Sequence, residues 1–283
     1  MTPRRVRSTL LAALSLLLTS SAAHAQVSAS ASITRERTTY HFDAPSSYDT
    51  AALVPHFFEQ AYVLDNVWLA LAWTRSRIVP GVTRVAATPV RQQRATDYDT
   101  FYNPGSVVWV SGTTGDAQVH GFRVEHELSL GQSRGITWSG GYRFQLDRAN
   151  FLDGYRTDVR NGVLVSAQTV TTREYTDAQR HDVFFSAAGS RGLGQQWLLR
   201  VSATGAPATL SRVAIRLPDK YPDQTLVYHA AGASGLVRLE FARRMSRLPW
   251  SLHLEGGRTW SYRSTAALSR RLLSAGVTVG GPR

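Results

Sequence analysis

The segment 136–147, ITWSGGYRFQLD, alternates apolar and polar side chains with a period of two. Ile136, Trp138, Tyr142, Phe144 and Leu146 share one face, while Thr137, Ser139, Arg143, Gln145 and Asp147 share the other. A period of two predicts a β-strand. An aromatic face backed by Arg143 and Asp147 is unusual for a soluble sheet, and it predicts an inverted arrangement in which the apolar side faces outward. Repeated around a closed ring, that inversion is what a bilayer demands: lipid outside, a polar lumen inside, and no backbone edge left unpaired in hydrocarbon.

The N-terminus points to export. Arg4, Arg5 and Arg7 form a basic region, 10–18 an apolar run, and Ala23-His24-Ala25 a cleavage site before Gln26, which together predict a signal peptide over 1–25 and a mature barrel over 26–283. The apolar run is too short to span a bilayer as a stable helix, and no later stretch approaches the roughly 20 apolar residues such a helix needs. The chain has no cysteine, so strand pairing and burial must hold it together without disulfides. Its formal charge is +12, of which the three N-terminal arginines contribute three, leaving +9 for the mature chain. Lys220 is the only lysine. For an exported barrel the expected polyanion is lipopolysaccharide of the outer leaflet, not nucleic acid, and arginine suits it because its planar fork pairs phosphate oxygens bidentately. A G+C-rich gene explains the same bias.

Ten strands are predicted along the chain. The first two cover 30–42 and 53–64, and Asp65-Asn66 reads as a tight turn into a third at 67–75. The arginine-rich stretch 78–115, with Pro80, Pro89 and Asn103-Pro104-Gly105, reads as irregular. The fourth strand, 119–130, sets Phe122, Val124, Leu128 and Leu130 against Arg123, Glu125, Glu127 and Ser129, and these charges are expected to pair with Arg143 and Asp147 on the fifth. A second excursion, 148–172, contains the turn dipeptides Asp153-Gly154 and Asn161-Gly162. Later strands are read at 173–188, from 197, at 225–241, from 250 and at 268–279, with a third long region over 206–224. Short and long links alternate, so the expected fold is all-β: a ten-stranded antiparallel transmembrane β-barrel with long extracellular loops. Ten strands enclose an interior that side chains nearly fill, which argues against a wide channel and puts any chemistry at the surface end.

Two stretches there carry carboxylates two apart or a carboxylate beside an aromatic: Asp97-Tyr98-Asp99, followed by Asn103-Pro104-Gly105, and Asp219-Lys220-Tyr221-Pro222-Asp223. On extended chain, residues two apart face the same way, so Asp97 and Asp99 are brought close, as are Asp219 and Tyr221. Close like charges favour a shared proton or a bound water. Solvated loop acids beside Arg91 and Arg94 are the plainer alternative. A D-x-D motif after the third predicted strand, an N-P-G turn beyond it, and a D-x-aromatic motif after the seventh resemble the omptin family of outer-membrane endopeptidases. The resemblance implies a hydrolase in which water held between an Asp pair and an Asp-His pair attacks the peptide bond, with lipopolysaccharide as an activating lipid. It implies catalytic roles for Asp97, Asp99 and Asp219. Tyr221 stands where the family has histidine, and a phenol with pKa about 10 is a poor base near neutrality. The spacing from Asp99 to Asn103 is shorter than the family's, and 280–283 lacks the terminal aromatic residue common in such barrels. The alternative function is a barrel without peptidase activity, serving as a surface binding or structural protein. No metal-ligand cluster, nucleophile elbow or phosphate loop is found, so no cofactor is expected. His253 and Glu255 fall on the expected lumen face, His120 and His126 on the lipid side or at the interface, and His229 too deep to share a cleft with Asp219 unless the strand bends.

Overall fold

The computed structural model describes residues 27–42, 57–74, 81–103, 106–219, 221–243, 250–264 and 268–280. The expected signal peptide, 1–25, lies outside them. The described chain is antiparallel sheet: β1 (Val27–Phe42), β2 (Phe57–Thr74), β3 (Val82–Asn103), β4 (Ser106–Ser133), β5 (Ile136–Arg160), β6 (Val163–Thr169), β7 (Arg173–Leu193), β8 (Trp197–Arg216), β9 (Leu226–Arg243), β10 (Trp250–Ser264) and β11 (Leu268–Gly280). Ten strands close a ring, because β4 pairs with β5, β5 with β7, and β11 with β1. The short β6 pairs with the upper part of β5 and extends the wall above β7. Following ladder partners once round the ring from Ser129 returns to β4 at Thr113, the stagger that tilts strands in a closed barrel.

The inverted arrangement holds. Trp138 and Tyr142 of β5 are exposed on the outer face, together with Val183 and Phe185 of β7, Leu252 and Leu254 of β10, and Leu273 and Val277 of β11. In water such a surface would be an aggregation site; in hydrocarbon it is the required one. The facing of 67–73 is resolved too: Leu69 is exposed, whereas Trp68 is buried in the lumen. Charges inside are paired. Arg143 Nε donates to Glu125 at 2.7 Å, Arg84 bridges Glu125 at 2.8 Å and Glu127, and Arg180 donates to Asp182 at 2.9 Å. The expected contact of Arg143 with the β4 acids is therefore present, while Asp147 instead accepts from Gln145 Nε2 at 2.6 Å and faces Arg270 at 3.9 Å.

The count of ten is right for a reason other than the expected one. Asp65-Asn66 is no turn: β2 runs straight through it, because Asp65 faces outward onto Arg35 at 2.8 Å and Asn66 is buried inside. The irregular stretch 78–115 is mostly β3 and the start of β4. One strand is thus lost and one gained. Two of the prolines misled because they sit at register shifts, Pro89 between Thr88 and Arg91 and Pro207 between Ala206 and Thr209, where the ladder needs no N–H. Likewise Asp153-Gly154 lies at a bulge inside β5, opposite Thr114 and Gly115. Asn161 and Gly162, with φ of 47° and 79°, make the true turn into β6. Much of what reads as surface loop is strand rising above the membrane.

Candidate functional site

At the end of the barrel formed by the β3–β4, β5–β6 and β8–β9 connections, the mouth holds a buried aromatic and aliphatic cluster of Tyr40, Tyr62, Val119, Phe151, Ile215 and Tyr228. It lies above the outward Arg35–Asp65 pair, where the apolar outer band ends. Strand alternation aims Tyr62 inward from β2, where Phe151 of β5 stacks on it at 4.9 Å and Tyr40 meets it edge-on at 6.4 Å. Its hydroxyl donates to Glu174 Oε1 of β7 at 2.7 Å and lies 3.4 Å from Thr176 Oγ1. Thr176 Oγ1 donates to the same Glu174 oxygen at 3.1 Å. Because β2 and β7 are not neighbours in the ring, this hydrogen bond crosses the lumen.

Asp97 sits in register with Tyr62 on one side and Thr113 on the other, and it is only 7% exposed. Burial pushes the Tyr62 phenol well above its usual value, and the charges of Glu174 and Asp97 push it further, against a smaller opposing effect of Thr176. Asp99, two residues on, is in register with Gln60 and Ser111. Along the same rim Asp158 is buried, accepting from Ser166 Oγ at 2.8 Å and Arg156 Nε at 3.0 Å. Burial opposes ionisation of Asp158, but those hydrogen bonds and the Arg156 charge hold its carboxyl below the usual range. Glu174 and Asp158 are absent from the sequence-based candidates. Their signal was inward parity on strands that read as loop or as strand end.

Asp219 is exposed at the opposite rim and is tied to Arg173. The Arg173 backbone N–H donates to Oδ2 at 2.7 Å and its guanidinium to Oδ1 at 2.6 Å. The path from Asp97 to Asp219 therefore runs through Tyr62, Glu174 and the adjacent Arg173. Tyr221 is half-buried and closes the turn through its backbone, donating N–H to Leu217 O at 2.7 Å and accepting from Gln224 N–H at 3.2 Å. His229 lies exposed opposite Arg212, away from the mouth, and His253 is buried in the lumen, as its parity predicts.

Arg173 hydrogen bonds, then its backbone N–H and charge, hold the Asp219 carboxyl below the usual range. A depressed folded-state pKa stabilises the clamp above the ordinary aspartate value and is lost as pH falls through the lowered one. Amide protection at Tyr221 and Gln224, measured relative to the intrinsic exchange rate at each pH, is expected to be high from neutral pH down to that window and to fall below it. Unchanged protection through the whole acid range would show that the clamp does not hold the turn.

No family model matches the chain, and no curated protein sequence does. Solved structures do. The outer membrane protease OmpT from Escherichia coli superposes with a TM-score of 0.58 at 10% identity, covering 90% of this chain and 95% of that one. The chain has the omptin barrel fold. Neisserial surface protein A aligns at a TM-score of 0.30 and 9% identity, over 91% of this chain and 99% of its own, and the Pseudomonas putida toluene transporter TodX at 0.22 and 10%, over 90% and 89%. These two differ too much in shape to carry an argument. An omptin-fold ring with an apolar outer face and a charged lumen is an outer-membrane β-barrel of bacteria. At 10% identity the likeness concerns the omptin fold alone, so chemistry must be argued from the mouth.

Proposed function

We propose that this protein is a surface endopeptidase of the outer membrane that hydrolyses peptide bonds with carboxylate-activated water. Asp97 takes the water's proton, Asp99 of the same D-x-D motif assists it, and Asp219 and Tyr221 orient substrate from the opposite rim. The observation that carries this reading is Asp97 itself, a carboxylate 7% exposed inside the mouth of an omptin-fold barrel. A buried acid is shielded from bulk solvent as a solvated loop acid is not, and buried acids in a cleft mark functional sites.

A second reading, a barrel with a binding or structural role and no catalysis, is favoured by the clamp on Asp219 and by the phenol of Tyr221. The proposed lipid partner in both readings is lipopolysaccharide. Arg35, Arg148, Arg258 and Arg271 are exposed, and Arg258 and Arg271 face each other in register on the outer surface, just above apolar Leu252, Leu254 and Leu273. Such a belt suits lipid phosphates.

The deciding experiment is cleavage of a short-peptide library by refolded mature barrel with lipopolysaccharide added. Wild type is expected to cleave slowly. Tyr221→His is expected to raise kcat/KM by about 100-fold, the lower end of what a positioned base contributes. Silence in both proteins would favour the second reading.

A further inference from the structure

The fold resemblance assigns the second half of the machinery to the rim holding Asp219 and Tyr221. The buried polar contacts of the mouth lie elsewhere. Tyr62 and Glu174 make a hydrogen bond of 2.7 Å across the lumen, Glu174 is 6% exposed, and Asp97 is the register partner of Tyr62. The phenol thus meets one carboxylate directly and has a second, Asp97, as its ladder neighbour, whose charge also acts on it. Beneath that phenol is a cavity of about 50 Å³, lined by Tyr40, Tyr62, Asn66, Thr88, Val119 and Thr176 among others. Asn66 Oδ1 and Thr88 Oγ1 are buried there without a hydrogen-bond partner in the protein, on residues 5% and 6% exposed. The lining is mostly apolar, but a space of that size accommodates water, and these two unpartnered atoms are suited to hold it there.

We propose that Tyr62 and Glu174 are the positioning residues of Asp97, fixing the proton affinity of its carboxylate and the place of the attacking water, and that the chamber under Tyr62 is a water site serving them. This rests on the endopeptidase reading for the reaction, but not for the coupling of the two carboxylates. Glu174 accepts from Tyr62 and Thr176, so the phenol's proton is directed to Glu174 and its lone pairs are left for water. In the reaction, the water oxygen bonds to the peptide carbonyl carbon while its proton passes to Asp97. The same proton then goes to the amide nitrogen as the C–N bond breaks, yielding an acid and an amine. The charge of Glu174 makes Asp97 a stronger base, as a like charge nearby does. In the row of strand partners around Asp97 are Tyr62 of β2 and Thr113 of β4, with Arg156 of β5 opposite Thr113 and engaged by Asp158; the charges of Asp97 and of Glu174 of β7 both act on the Tyr62 phenol.

The test pairs two readouts on the refolded full-length mature barrel, with folding checked by heat-modifiable electrophoretic mobility. One is the carboxyl carbon resonance of Asp97 against pH; the other is the acid limb of the pH profile of kcat/KM. Glu174→Gln is expected to move both to lower pH by roughly one unit. Tyr62→Phe, which keeps the stack on Phe151, is expected to move them and to lower kcat/KM about tenfold or more. Asp177→Asn, an outward acid on the same strand paired with Arg148, is the charge control and should move neither. If Glu174→Gln fails to fold, Tyr62→Phe carries the test alone. An Asp97 resonance whose midpoint ignores both Glu174→Gln and Tyr62→Phe would overturn the proposal. A shifted midpoint with no cleavage by wild type at any pH would support the coupled unit and overturn the endopeptidase reading instead.

Discussion

Asp97→Ala is expected to lower kcat/KM for peptide cleavage by roughly 100 to 10,000-fold, the range lost when a positioned acid–base group is removed. The barrel should survive the change. Asp97 sits above the membrane band, and the Tyr62–Glu174–Thr176 hydrogen bonds do not pass through it. The loss should therefore appear in kcat with unchanged electrophoretic folding behaviour, because the residue is proposed to handle a proton that moves only as the bond is made. Asp97→Asn keeps the shape and removes only basicity, so it should lose nearly as much. If either variant retains more than about a tenth of wild-type activity, another carboxylate of the mouth, Asp158 or Glu174, must be doing the proton transfer.

Asp182→Ala is expected to be the most destabilising single change in the lumen, by about 3–5 kcal/mol, the cost of removing one partner of a buried ion pair. Asp182 is 1% exposed. It accepts from Arg180 Nε at 2.9 Å and Thr209 Oγ1 at 2.9 Å, and Arg143 approaches it at 3.9 Å. Arg143 would keep Glu125, but Arg180 would be left as an uncompensated charge inside the barrel. The measurement is equilibrium urea unfolding of the refolded barrel in detergent, followed by tryptophan fluorescence. Asp182→Asn retains an acceptor for Thr209 and should fall between alanine and wild type. A change of less than 1 kcal/mol for alanine would mean that water enters the lumen and screens these charges.

Much of this architecture is legible in local pattern. Period-two alternation survives wherever a strand is flanked by lipid on one side and a wet lumen on the other, so β4, β5 and β10 were read with their facing correct. It fails where the barrel rises out of the membrane. There, β3 has solvent outside and a mixed interior, so its two faces differ little in polarity and 82–103 carries no clear alternation. Asp65-Asn66 failed for a different reason. Residues that favour turns in isolation are held in β2 by partners far away in sequence, Asp65 by Arg35 and Asn66 by burial inside the ring.

The candidate site divides along the same line. Asp97, Asp99, Asp219 and Tyr221 are visible because short motifs mark them, while Glu174 and Tyr62 belong to no motif. Their contact joins residues 112 apart in sequence and strands not adjacent in the ring. No local rule reports it, because it exists only once the sheet closes. The sequence alone determined that the chain is an all-β barrel with its apolar side outward, since lipid imposes that pattern residue by residue. Which carboxylates share the mouth was decided only by closure, which sets the register and curvature that bring distant side chains across one lumen.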